Sequence, residues 1–508
     1  MQMPPMNIRL QVGGAALLGM GLLGLSLFPS ALHAQPSASM APLPPVAAYR
    51  ADRILIQPKP GVAPGVIAKL HSLHKSAARR TFARLGNLQV VSVPPGETVA
   101  GLIAQYQQSG LVEFAEPDFV RHLDLTPNDP QYTNGTAWAL NNFGQSSGVA
   151  DADIDAPEGW DVLNSASNIV VAVIDTGIRR THEDLAANIW TNASGGGYGW
   201  NALTTNAVPA DDEGHGSLVS GILGAVGNNG KGSAGVAWRV QIMACKSFDA
   251  GRNGTDSDII EGIEFARTNG ARIINMSLSG PGFSAALSNA ISSVRENGII
   301  VVTSAGNEAA NIDISPRYPA CYNLDNIITV AATTRTDELW SSSNYGATNV
   351  DLAAPGHQIT STFTFSDNLY IGPLSGTSFS APYVSGTCAL LLAKYPNETH
   401  QQIIARVLHG VDPLPSLAGK CVTSGRLNLR KALSPPIELT LLPTAGPLPL
   451  QFRVHAGPNR IFVIETSTNL TTWTPVFINV TSDSGTFDYT DPASTNLARR
   501  FYRAYSAL

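Results

Sequence analysis

Residues 168–175 read NIVVAVID, six consecutive apolar residues of which five are β-branched, closed by an aspartate. A strand with one wet face would alternate apolar and polar. This run has no polar face, so it must be covered on both sides, as in a parallel sheet lying between two layers of helices. The surrounding sequence repeats the theme. VQIMACKSF (240–248), ARIINMSLSG (271–280), IIVVTSAGN (299–307) and NIITVAAT (326–333) read as further strands. SLVSGILGAV (217–226), DSDIIEGIEFARTNG (256–270), FSAALSNAISSVRENG (283–298) and SFSAPYVSGTCALLLAKYP (378–396) read as helices between them or after them. Strand and helix in alternation predict an α/β domain with a mostly parallel sheet covered by helices on both faces.

The flanks have a different texture. Residues 1–34 carry one charge, Arg9, then an apolar run Gly13–Phe28 and the small-x-small signal ALHA, the pattern of a cleaved secretory signal peptide. Residues 35–49 are a Pro/Ala/Ser-rich spacer, and 50–125 alternate strand and helix signals in a βαββαβ-like α+β unit. Residues 126–434 hold the α/β domain. From 435 to 508, LQFRVHA, RIFVIETS, WTPVFIN, GTFDYTD and RRFYRAY are short alternating runs separated by turn residues, a small all-β, sandwich-like module. Its aromatic residues are expected to form a β core rather than a carbohydrate platform. Secretion, outside the cell or into a periplasm, is the expected location, with no membrane span in the mature chain. Residues 1–123 hold ten Lys or Arg against five Asp or Glu, so they carry +5 and the remainder −11. No basic stripe marks the larger part, which excludes nucleic acid as a partner and lets the two parts attract each other. Export permits disulfides among Cys245, Cys321, Cys388 and Cys421, with all three pairings open.

Chemistry concentrates at a few small-residue contexts. Asp175 ends the NIVVAVID strand, where open α/β sheets place their ligands. His215 lies between two glycines, so another group can approach its ring. Ser378 follows Gly376 and Thr377 at a helix start, and Asn307 follows Ala305 and Gly306 at a strand end. Each alone reads equally well as a turn or cap residue. Together they complete a reaction: a hydroxyl nucleophile, a base for its proton, a carboxylate to orient that base, and an amide donor for an oxyanion.

The order Asp, His, Ser, carried by VIDTG, GHGS and GTSFSAP, resembles the subtilisin-like serine proteases over residues 126–434. The resemblance implies a subtilisin-like fold and a serine endopeptidase acting on polypeptides, with Asp175, His215 and Ser378 as the triad and Asn307 as oxyanion donor. It implies that Ser277, Leu278, Ser279 and Gly280 lie beside an extended substrate. Residues 50–125 resemble the family's propeptide, an intramolecular inhibitor of a self-processed zymogen. Calcium is the implied metal, with Asp129 and Asp184 as ligands near Asn228 and Asn229. Two departures stand out: Ser217–Leu218 replaces the usual Thr-His after GHG, and Ser279 replaces a glycine that leaves the substrate pocket wide. A narrow-specificity processing protease and an inert adhesion protein are the competing readings.

Overall fold

The computed structural model describes residues 49–119, 126–192, 196–434 and, with short gaps, 438–506. The signal peptide, nearly all of the spacer and the junction at 120–125 lie outside the described residues.

Strands β1 (Tyr49–Pro58), β2 (Ala78–Phe82), β3 (Leu88–Ser92) and β4 (Val112–Phe119) form an antiparallel sheet in the order β2-β3-β1-β4. With helices Pro64–Leu73 and Val99–Gln108 the element order is βαββαβ. Alternate residues Ile54 and Ile56 of β1 are fully buried against Ile67, Leu102 and Tyr106 of the helices. In the C-terminal segment six strands make two three-stranded antiparallel sheets. Phe452, Phe462 and Tyr489 are buried there, and Phe477 and Phe487 stack on each other at 5.3 Å. These rings serve the core of the module.

The described residues between 126 and 434 form one compact unit built on a nine-stranded sheet. Its strands are β5 (Ser165–Asp175), β6 (Gly199–Asn201), β7 (Arg239–Lys246), β8 (Ile273–Met276), β9 (Ile300–Ser304), β10 (Ile327–Thr333), β11 (Leu352–Pro355), β12 (Val411–Pro413) and β13 (Gly425–Leu427). The order is β12-β13-β11-β10-β9-β8-β5-β7-β6, parallel except for the edge pair β12–β13. β5 explains the opening run. Its Val171 and Val173 join the core beneath helices His215–Gly224 and Thr377–Lys394, while Ala172 and Ile174 join the core beneath Asp256–Thr268 and Ala285–Glu296. From Val171 to Ile174 both faces of the strand are dry, so none of these positions can be polar before the chain reaches Asp175. The chain runs from β5 to β7 on one side and β8 on the other, so the strand order reverses there and opens a crevice at the carboxyl ends.

All four cysteines are free thiols, so the disulfides that export would permit are not formed. Cys245 and Cys388 lie in the cores on opposite faces of the sheet, and burial pushes both thiols up to about 12. Cys321 and Cys421 belong to a third cluster.

One buried charge network predicts a pH-dependent stability. Arg426, 2% exposed, pairs with Asp337 and with Asp412 at 2.8 Å. Asp155 joins it through Asn428, whose Nδ2 donates to Asp155 Oδ2 at 2.6 Å. Burial, then the neighbouring Asp412, pushes the Asp155 carboxyl up to about 7. A raised carboxyl binds its proton more tightly folded than unfolded, so this residue's penalty is absent below the ordinary carboxylate range and is fully present above pH 7. Asp155→Asn keeps an acceptor for Asn428 and tolerates the left-handed backbone at this position (φ 51°). It is expected to stabilise the protein by about 1–2 kcal/mol at pH 8 and by less at pH 4.5. Melting curves of the Ser378→Ala protein with and without it, at both values, check this; an equal gain at both refutes the assignment.

Candidate active site

Asp175 ends β5, and its carboxylate receives His215 Nδ1–H at 2.8 and 2.9 Å and its own following amide, Thr176 N–H, at 2.8 Å. A carboxylate accepting from Nδ1 leaves the Nε2 lone pair free to act as a base. The two glycines around His215 make this approach possible. A Cβ on Gly216 would lie 2.1 Å from the Gly177 carbonyl, and one on Gly214 (φ +118°) would lie 2.1 Å from the Phe363 ring.

His215 opens a helix whose N-cap, Gly214, has no side chain to cap it. Three side chains from outside the helix take over. Glu213 Oε2 accepts His215 N–H at 2.8 Å, Thr176 Oγ1 accepts Gly216 N–H at 2.9 Å and Asp211 Oδ2 accepts Ser217 N–H at 3.0 Å. Asp211 also accepts from the Ser217 and Thr176 hydroxyls and from Glu213 and Gly214 N–H. In the sequence, acidic side chains just ahead of an uncapped helix start mark Asp211 and Glu213, and nothing marks Thr176.

Ser378 lies in the first turn of Thr377–Lys394, half-buried, and the next residue, Phe379, packs on the His215 ring with centroids 5.9 Å apart. Its hydroxyl donates to the Ser277 carbonyl at 3.2 Å rather than to the imidazole. Pro382, four residues on, has no N–H for the Ser378 carbonyl, and Ser277 Oγ–H fills that place at 2.8 Å. Asn307, exposed beyond β9, is aimed by Thr377: the N–H and hydroxyl of Thr377 donate to Asn307 Oδ1 at 2.8 and 2.9 Å. An N–H can only donate, which fixes the amide orientation and leaves Nδ2 as the outward donor.

The expected substrate segment follows directly on β8. Ser277 is tied to Ser378 as above, and the Leu278 carbonyl is approached by the Thr303 and Ser304 hydroxyls, both at 3.4 Å. Gly280 exchanges both backbone bonds with Tyr318 (2.9 and 2.7 Å), so its N–H is taken and only the second lone pair of its carbonyl is left for a peptide. Ser279 Oγ, Glu308 and Asn344 crowd the space over Gly306, where a Cβ would meet Asn344 Nδ2 at 2.3 Å and Ser279 Oγ at 3.1 Å.

Asp129 and Asp184 are both fully buried. Asp129 accepts Asn228 N–H at 2.6 Å and Asn229 N–H at 3.3 Å; Asp184 accepts from Asn229 Nδ2, Ser233 N–H and the Tyr370 hydroxyl at 2.8–3.0 Å. Burial raises both carboxyls, Asp184 to about 6 with Asp129 adding to it. Among the described residues neither forms an ion pair with a Lys or Arg, and no cluster of three or more His, Cys, Asp or Glu is placed to hold a metal. Two interacting buried carboxylates without a Lys or Arg partner suit a hard cation, although the groups that meet them in this structure are N–H and O–H donors.

A parallel sheet with an imidazole–carboxylate pair at its carboxyl edge, a hydroxyl at a helix start and an aimed amide defines a hydrolase of the serine class. Residues 166–426 match the subtilase family. The thermophilic serine proteinase of Bacillus sp. (strain AK1) is 33% identical over 336 residues, 66% of this chain and 76% of that protein. Thermitase of Thermoactinomyces vulgaris is 33% identical over 308 residues, 61% of this chain and 99% of thermitase. Among solved structures, a protease from Pseudoalteromonas arctica PAMC 21717 superposes with a TM-score of 0.50 at 29% identity, covering 61% of this chain and 98% of that one. The chain belongs to the subtilase family of serine peptidases.

Proposed function

We propose that the protein is a secreted endopeptidase that cleaves polypeptides through a triad of Asp175, His215 and Ser378. The bidentate approach of His215 Nδ1 to Asp175 carries the reading, because it readies Nε2 to take the Ser378 proton. The hydroxyl leaves Ser277 as substrate enters, Ser378 Oγ attacks the scissile carbonyl, and His215 passes its proton to the leaving amine. Asn307 Nδ2 and the positive end of the Thr377–Lys394 helix meet the oxyanion. Water then frees the acyl group by the same route. Extended substrate pairs along Ser277–Ser279, with Ser279 narrowing the pocket beside Gly306. Hydrolysis of unfolded casein, blocked by a serine-directed phosphonate, tests the reading; casein left intact by the processed protein sinks it. Among the described residues no helix is long and apolar enough to cross a membrane.

Residues 50–125 act in this reading as an inhibitory propeptide, removed by self-cleavage between Arg121 and Asn128. The βαββαβ order and the opposite net charges support it. Asp129 and Asp184 would hold calcium, whose contribution is stability: an ion bound only by the folded chain stabilises it by mass action. A chelator is expected to lower the melting temperature of the Ser378→Ala protein, and Asp184→Asn to weaken that response. Identical melting with chelator and with millimolar calcium would remove the ion from the reading.

A further inference from the structure

Glu213 holds two partners at once. Its Oε2 accepts the His215 N–H at 2.8 Å, and its Oε1 accepts Arg252 Nε at 2.6 Å and Nη2 at 2.5 Å. The Glu213 side chain is 12% exposed and that of Arg252 is 68% exposed, so the carboxylate is enclosed between the start of the His215 helix and a guanidinium reaching in from solvent. Arg252 stands in the turn after β7, in a left-handed conformation (φ 65°), and the turn is held by Asp249, whose Oδ1 accepts Gly251 and Asn253 N–H at 2.8 Å.

We infer that Glu213 is a positioning residue for the hydrolytic reaction: it fixes the backbone of His215 and, with Arg252 as its counter-charge, sets the pH at which the imidazole becomes available as a base. The inference rests on the proposed role of His215.

The charged groups around the ring are few. Asp175 faces Nδ1 from β5. Glu213 and Arg252 lie at the N-terminal end of the helix. Asp211 is enclosed by five N–H and O–H donors, and Asp212 is paired with the buried Lys246 at 2.7 Å. The Thr377–Lys394 helix contributes uncharged Phe379. Burial opposes the imidazolium; Asp175 and then Glu213 favour it, Arg252 opposes it, and the balance raises the His215 pKa above its ordinary value. The base therefore becomes free only as pH rises through that raised value. Loss of the Glu213 charge frees it at lower pH, and loss of the Arg252 charge delays it to higher pH.

Glu213→Gln and Arg252→Gln separate charge from structure, because a glutamine oxygen still accepts the His215 N–H. At a fixed pH on the acid limb of kcat/KM, E213Q is expected to run about threefold faster relative to its own plateau, and R252Q about threefold slower, the effect of one charge through a solvent-like dielectric. The double variant should fall back on the parental limb. A merely structural role would change the height of the plateau and leave the limb in place. Titration of the His215 ring by NMR, in Ser378→Ala proteins carrying the same substitutions, should give the same order without any turnover. Limbs or ring titrations that stay put, or that move the same way in both single variants, overturn the inference. Loss of the triad reading would look different: a Ser378→Ala protein that still hydrolyses peptides.

Discussion

Ser378→Ala is expected to leave casein intact, to take up no serine-directed phosphonate and to remain as the long precursor. The hydroxyl oxygen is the only heavy atom removed, and Ser277 Oγ still holds the Ser378 carbonyl, so the helix start keeps its place. Turnover should fall by roughly 10⁶-fold, the loss established for the equivalent serine of a subtilisin. His215 and Asp175 stay paired but have no proton to move. Three readouts make the result decisive: peptide release, mass after phosphonate treatment, and the N-terminal sequence of the purified protein. Parental hydrolysis by the variant would remove Ser378 from the chemistry. A variant that is inactive yet starts between Arg121 and Asn128 would keep the nucleophile and overturn self-processing.

Asn307→Ala should be the next largest effect. Its Oδ1 is held by Thr377 at 2.8 and 2.9 Å, so the outward amide is placed before any substrate arrives. A donor placed in advance acts where charge develops, in the transition state, and so affects kcat more than KM. The expected fall in kcat is about 10²–10³-fold, the established cost of losing this donor in a subtilisin. Asn307→Asp gives the sharper comparison. It can still accept both Thr377 bonds but turns a second acceptor toward the oxyanion, so it should be no better than alanine. If the aspartate variant kept near-parental kcat, the residue would serve to hold Thr377 rather than to donate.

Much of the fold could be read from periodicity. β5 and β7–β10 begin and end within four residues of the runs that announce them, because a strand buried on both faces leaves an apolar signature. The segment after Met276 is an instructive exception. ARIINMSLSG reads as one strand, yet β8 stops at Met276, because Ser277 turns to bond Ser378 and Gly280 turns to bond Tyr318. Strands lacking that signature leave no such mark in the sequence. β2 (ARRTF) is largely exposed, β6 has three residues, and β11 (LAAP) is too short and small-chained to show a period; each is a strand only because a neighbour pairs with it.

The amino-acid order by itself determined the α/β class, the carboxyl-end position of Asp175 and the small-residue clearings at His215, Asn307 and Ser378. Those are properties of single segments, set by local sterics and by which faces must be dry. Only the tertiary structure decided that three side chains from outside the His215 helix cap its first turn, that Thr377 turns the Asn307 amide outward, and that Ser277 replaces the bond Pro382 cannot make. Hydrogen bonds of this kind join residues 2 to 101 positions apart in the chain, and their direction depends on how the layers pack. The acidic residues just ahead of His215 are visible locally, but which donor each one meets is not, because a donor's partner is whichever acceptor the folded chain brings within about 3 Å.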